Sequence, residues 1–199
     1  GYTDIAGYGS LVPHVSLNGA VATQAYVSVD NGIEIIELLE KNISIIEAGK
    51  KVINKDKDRS MRQLIGIGHN QEIYEWTGEN TLDYKNSINS DNFVIAGNCM
   101  ESYEVIKSAA DYFSDNAKED FPKRLIKSIQ AGELAGGHIK EINHIDPITK
   151  KQIKKSTQTI FGESMSAALL IASKKPKVWH NIRVDAHKEA IFELEKVYD

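Results

Sequence analysis

A chain of 199 residues, 41% hydrophobic and 26% charged, is long enough to bury one sizeable core and has the composition of an ordinary globular protein. Its formal net charge of −4 offers no basic surface for nucleic acid or anionic lipid, and no apolar run reaches the length of a membrane span. Cys99 is the one cysteine, so no intrachain disulfide forms, and the compartment stays open between the cytoplasm and export after removal of a leader.

The chain begins GYTDIAGYGSLVP, with neither an initiator Met nor a signal-peptide pattern, and reads as the interior of a domain. Gly19 to Ser28 predicts a strand that contains GAVATQAY. Thr23 and Gln24 sit between alanines there, where a strand built only for packing would use Val, Ile or Leu. Asp30 or Asn31 is placed to cap a helix through Glu40, with Ile33, Ile35, Ile36, Leu38 and Leu39 as its buried stripe. Ser44 and Glu47 have capping-box spacing and open a second helix to about Asn54. Arg62 to Gly68 and Glu72 to Thr77 flank His69-Asn70-Gln71 as a hairpin.

Gly78 to Asp91 is polar and without period, which predicts a loop. Asn92 to Ala96 is a short strand, Ser102 opens a helix to about Phe113, and Pro122 suits the first turn of the next, which ends at Gly132 or in Gly136-Gly137. His138 to Glu163 reads as an excursion, with a β-ribbon around Asp146-Pro147. Ser166 to Ser173 and Trp179 to Val184 are strands, and His187 to Tyr198 a terminal helix. Strands that follow one another directly argue against βαβ alternation and for an antiparallel or mixed sheet with helices outside, in one domain over residues 1–199. Neither a Gly-rich phosphate fingerprint nor paired-cysteine zinc spacing is present.

GSLVPHVSLNGAVATQAY, DRSMRQLIGIG, AGN at 96 to 98, IQAGELAGG, SAALLIAS and IRVDAH stand in the order seen in the DUF1028 family, and the resemblance covers nearly the whole chain. That resemblance implies the N-terminal-nucleophile (Ntn) hydrolase fold, an α+β four-layer αββα sandwich with largely antiparallel sheets. It implies amide-bond cleavage by the first residue of the mature chain, whose α-amine acts as base. The chain departs from the family in three ways. The family's first strand, which a Thr nucleophile typically opens, has no counterpart here, and Gly1 carries no side chain to replace it. Ala96 stands where Gln is usual and Ala186 where a second Asp is frequent. The excursion is also longer than usual.

On that fold, Thr3 lies near the end of the family's second strand and lines the site, with Asp4 to Pro13 as its wall. Thr23 or Gln24 contacts substrate from the neighbouring strand, one at most, because they alternate faces; plain packing between sheets is the competing reading. Asn98 ends a strand where its amide could donate to an oxyanion, or simply serves a turn. Arg183, Asp185 and His187 line one strand and its exit as substrate contacts, or as an ion pair with Asp185 capping the last helix. Arg62-Gln63 suits a surface position or the start of a strand, and Cys99 a small buried hydrophobe. His138, His144 and Asp146 match no strong metal spacing, and Lys150 to Lys155 read as a solvated face. The expectation is an Ntn-type amidohydrolase of a small-molecule or peptide-like amide, with its nucleophile upstream of Gly1 and no metal or organic cofactor. Neither nucleic acid nor membrane is a partner in this reading, and a homodimer through an open strand edge is allowed. The alternative is a binding or structural protein on the same fold.

Overall fold

The computed structural model describes residues 1–145, 149, 151–156, 165–175 and 179–199. The first half of the chain builds an antiparallel sheet in the order β2 (Pro13–Ser16), β3 (Gly19–Ala25), β4 (Arg62–Gly68), β5 (Ile73–Thr77). Two helices, α1 (Val29–Glu40) and α2 (Ile45–Lys55), connect β3 to β4. Alternation in β3 sends Val21 and Thr23 to the helices, where Val21 joins Leu64 of β4 and Tyr74 of β5 in one core. Onto these residues α1 lays Ile35, Leu38 and Leu39, and α2 lays Ile45, Ala48, Val52 and Ile53. Each large aliphatic side chain buried there contributes about 1.5–3 kcal/mol. Gly49 is needed for this contact: a Cβ on it would stand 2.2 Å from the Tyr74 ring.

The helix starts follow local chemistry. Ser44 Oγ accepts from Glu47 N–H at 3.2 Å, as the capping-box spacing requires. The cap of α1 is Ser28, whose Oγ accepts from Asn31 N–H at 3.2 Å, rather than Asp30 or Asn31. The Asn31 amide instead donates to Asp56 Oδ2 at 2.6 Å, where Arg62 Nε also lands at 2.9 Å. Arg62 lies over the Tyr26 ring at 4.6 Å and bonds the Tyr26 carbonyl, so it ties α1, the end of α2 and β4 together and is not a surface residue. Burial pushes the Asp56 carboxyl up, but Arg62, the Asp58 N–H and Asn31 together hold it below the usual carboxylate range. The α1 stripe is narrower than the sequence suggests, because Ile33 faces solvent.

The rest of the molecule joins the chain's start to its end: β1 (Tyr2–Thr3), β10 (Met165–Ile171) and β11 (His180–His187) form one antiparallel sheet, and β6 (Asn86–Ser90) with β7 (Phe93–Gly97) another. Helices α3 (Tyr103–Asp115), α4 (Phe121–Leu134) and α5 (Ala190–Tyr198) cover them. In β10 Ser166 to Leu169 are buried without a break, the pattern of a central strand covered on both faces. Ile126 of α4 and Ile191 and Leu194 of α5 complete its core. Phe93 of β7 packs on Phe113 of α3, and Leu125 of α4 joins this cluster as well as the β10 cluster. One helical cover therefore spans both sheets. Ser128 Oγ donates to Ala109 O at 2.7 Å to lock α3 to α4.

Residues 86–90, expected as loop, form β6: the polar NSINS run pairs with β7 from Asn86↔Gly97 to Ser90↔Phe93. The ribbon expected in the 138–163 excursion is present as β8 (Glu141–Ile145) paired with β9 (Gln152–Ser156); Asp146 and Pro147 lie outside the described residues. Every ladder among the described strands is antiparallel. The architecture is α+β, with helices on the outside and antiparallel sheets between them. Among the described residues no helix is long and apolar enough to cross a membrane.

Candidate functional site

The face of β3 and β4 turned away from α1 and α2 carries Ala20, Ala22, Gln24, Ile65 and Ile67, and it fronts a cavity of about 800 Å³. The opposite wall comes from β10, β7 and the inner faces of α3 and α4. The small alanines of GAVATQAY are thus what leave the space open. Thr23 is excluded from it: its side chain lies on the helix face, buried, with Oγ1 lacking a partner.

At one end of the cavity the sheets meet through Gln63, which is fully buried and whose backbone pairs with Gln24 across the ladder. Its Oε1 accepts from Gln24 Nε2 at 2.6 Å and from Asn98 Nδ2 at 3.1 Å. Its Nε2 reaches Gly97 O and Thr77 Oγ1, each at 3.1 Å, and Asn86 O at 3.3 Å. Gln63 therefore stands at the start of β4, as expected, but it is no surface residue: it is the hub that joins β3, β4, β5, β6 and β7. Asn98 and Gln24 both line the cavity, each with one N–H engaged on Gln63 and a second left for another acceptor.

A second polar group, Tyr2, Thr3, Asp4, Cys99, Glu133 and His138, lines the same cavity. Pairing of β1 with β10 (Tyr2↔Ala167, Thr3↔Ser166) sets Tyr2, whose hydroxyl donates to Glu133 Oε2 at 2.8 Å. The loop after β1 is pinned by Ser166, whose Oγ donates to Ile5 O at 2.6 Å and accepts from Gly9 N–H at 2.7 Å, and by Gly7 N–H on Asp185 O at 2.5 Å. The chain leaves α4 through Gly137 in the left-handed region (φ 63°), where only glycine is unstrained, and it then bridges Met100↔His138. That path sets the His138 ring 5.2 Å from the Tyr2 ring, with Nε2 4.0 Å from Asp4 Oδ1. Thr3 Oγ1 donates to the same Asp4 Oδ1 at 3.4 Å.

The electrostatics of this end are set by burial. Desolvation holds the His138 imidazole below its ordinary value, opposed by the nearby Asp4 and Glu133 carboxylates, and keeps the ring neutral. Burial, aided by Asp4, pushes the Cys99 thiol up to about 11, which leaves it protonated and a poor nucleophile. Burial and Glu133 push the Tyr2 phenol far above the tyrosine range, so it acts only as a donor. Asp4 Oδ2 and His138 Nδ1 are shut off from solvent and have no hydrogen-bond partner.

Of the residues picked from the sequence, Thr3, Gln24 and Asn98 meet at this cavity, and Thr23 does not. Arg183, Asp185 and His187 lie outside its wall on the solvent side of β11, with Arg183 Nε 3.1 Å from Asp185 Oδ2 as an exposed ion pair. Asp185 does not cap α5; His187 Nδ1 instead accepts from the Glu189 N–H at 3.1 Å. Among the described residues no three His, Cys, Asp or Glu side chains are grouped to hold a metal. Gln63 and the pairing of Asp4 with His138 escaped the sequence, because their partners lie far away in the chain.

A family model described as a family of unknown function, DUF1028, matches residues 2–144. Among solved structures, the crystal structure of protein SPO2555 from Silicibacter pomeroyi, itself assigned to DUF1028, superposes with a TM-score of 0.77 at 22% identity. The alignment covers 98% of this chain and 76% of that one, and at such identity the likeness is one of fold. No curated protein matches. With its family match running over more than half of its residues, this chain belongs to DUF1028, a family of unknown function.

Proposed function

We propose that this protein is an amide-cleaving hydrolase of the Ntn type, acting on a small-molecule or peptide-like amide in the cavity between the sheets, with a nucleophile supplied by residues preceding Gly1. The observation that carries the proposal is an open strand position beside the polar end of the cavity. Among the described strands β1 pairs only with β10 and β7 only with β6, yet both sheets lie under the same helices. Val105, Ile106 and Ile129 of α3 and α4 face the space between them. Gly1 lies in the cavity wall, where it exchanges two 2.8 Å backbone bonds with Ala168. A strand entering this space antiparallel to β1 would start beside Thr3, Asp4 and Asn98.

In that position a hydroxyl or thiol would attack the substrate carbonyl. Its proton would pass to the free α-amine and then to the leaving amine, and water would hydrolyse the resulting acyl-enzyme. The second N–H of Asn98 would donate to the developing oxyanion. N-terminal sequencing and intact mass of the native protein test the reading: a mature chain that opens with Thr, Ser or Cys upstream of Gly1 is expected. A native chain that opens at Gly1 removes the mechanism. One observation favours a non-catalytic binding protein instead: Gln24 and Asn98 already engage Gln63, as a purely structural joint between sheets would require.

A further inference from the structure

The amide of Gln63 is fully buried at the polar end of the cavity, and its orientation is forced. On one side it meets two backbone carbonyls, Gly97 O at 3.1 Å and Asn86 O at 3.3 Å, together with Thr77 Oγ1 at 3.1 Å. A carbonyl accepts and never donates, so the Gln63 nitrogen has to face this side and Oε1 the other. Oε1 then offers two lone pairs, which the nitrogens of Gln24, at 2.6 Å, and Asn98, at 3.1 Å, fill. The consequence passes to Asn98. Its amide satisfies Oε1 only with nitrogen turned toward the joint; the flipped amide would set oxygen against oxygen. The backbone on either side of Asn98 is held as well. Gln63 Nε2 donates to the Gly97 carbonyl just before it, and the Cys99 N–H just after it donates to Leu82 O at 3.0 Å. Asn98 is half-buried in the cavity wall, so the second N–H on the nitrogen that Gln63 orients is left for an acceptor there. The network thus carries the polarity of two backbone carbonyls, through one buried amide, to a side chain in the wall.

We propose that Gln63 is a positioning residue: it fixes the Asn98 amide with N–H, rather than oxygen, available to a substrate carbonyl. This deepens the hydrolase reading given above and rests on it. The two are separated by the kinetics with which a hexyl-substituted β-lactone acylates the first residue of the native protein, followed by intact mass. In that step the carbonyl carbon bonds to the nucleophile and the ring C–O bond breaks. The ring oxygen takes the proton, so the adduct carries the full mass of the lactone.

The maximal acylation rate is expected to fall about 100-fold in Asn98→Ala and about tenfold in Gln63→Met. The half-saturating lactone concentration is expected to stay within about threefold of the native value in both. The double variant Gln63→Met/Asn98→Ala is expected to react at the rate of Asn98→Ala alone, because Gln63 acts only through Asn98. A merely structural Gln63 gives either no loss of rate or a loss that multiplies with that of Asn98→Ala. If Gln63→Met does not fold, Gln63→Asn takes its place in the cycle; its shorter side chain withdraws the oxygen and keeps an amide in the joint. A native rate in the Gln63 variant, multiplying losses in the double variant, a loss confined to the half-saturating concentration, or a native rate in Asn98→Ala overturns this inference and leaves the hydrolase reading standing. A native protein that the lactone does not acylate overturns both.

Discussion

Helices α1 and α2 and helices α3 and α4 have similar lengths and each cover a sheet, yet they do opposite things with their inner faces. Around α1 and α2 the buried side chains close on one another, down to a glycine that admits the Tyr74 ring, and the apolar cluster is continuous. Around α3 and α4 the inner faces front an 800 Å³ cavity, and the wall holds a carboxylate oxygen and an imidazole nitrogen without partners. The first half is built for stability. The second keeps an open interior; unmatched buried polar atoms occur on both sides, Thr23 Oγ1 and Glu72 Oε2 in the first and Asp4 Oδ2 and His138 Nδ1 in the second, so the space rather than the polar atoms marks the difference.

The sharpest way to break this contrast is truncation on each side. Ile53→Ala, in the closed core, is expected to cost about 2–5 kcal/mol, while Ile67→Ala, half-buried on the cavity face of β4, costs less than about 1.5 kcal/mol because part of its surface already faces space. Urea denaturation of both variants measures it, and equal losses would erase the distinction. At the joint between the halves, Gln63→Leu leaves Gln24, Asn98 and the Gly97 carbonyl unmatched and is expected to cost about 1–3 kcal/mol. The same denaturation series reads this loss.

A smaller effect is expected at Asp4. Asp4→Asn replaces a partly buried carboxylate, whose Oδ2 has no hydrogen-bond partner, with a neutral amide, and leaves stability unchanged or raises it by up to about 1–2 kcal/mol, the reverse of a core substitution. A thermal melt of the variant settles the sign. Smallest is the pH dependence. His138 and His14 are both held below the ordinary imidazole value of 6.5, burial being the main cause in each. The unfolded chain therefore takes up protons first, so the neutral rings contribute full stability above 6.5, and that stability is lost as the pH falls toward their folded values. His138→Gln is expected to flatten the acid side of a stability–pH curve, and an unchanged slope would place the titration elsewhere.

The closed half was legible in the sequence because its signals are local. Ser44 with Glu47, the apolar spacing of α2, and the hairpin through His69-Asn70-Gln71 each lie within one or two elements. β6 was hidden because its five residues, NSINS, carry one apolar side chain. Its polar ones are matched in space, Ser87 and Asn89 both donating to Glu75 of β5. Gln63 was legible as lying at the start of a strand, but not as a joint between sheets, because its partners stand on β3, β6 and β7, beyond any local pattern. Asp4 and His138 are brought together only by the β1–β10 pairing and the Met100↔His138 bridge, and neither leaves a mark on the spacing of residues. Arg183, Asp185 and His187 are the converse: a dense polar motif on an exposed strand, where the expected ion pair between Arg183 and Asp185 forms and the expected cap by Asp185 does not.

The proposed amide chemistry, at the polar end of the cavity through a residue ahead of Gly1, is tested most directly by treating the native protein with an electrophilic β-lactone and mapping the adduct by peptide analysis. A single adduct on the first residue of the mature chain, upstream of Gly1, is expected. An adduct on Cys99, or none at all, would contradict it.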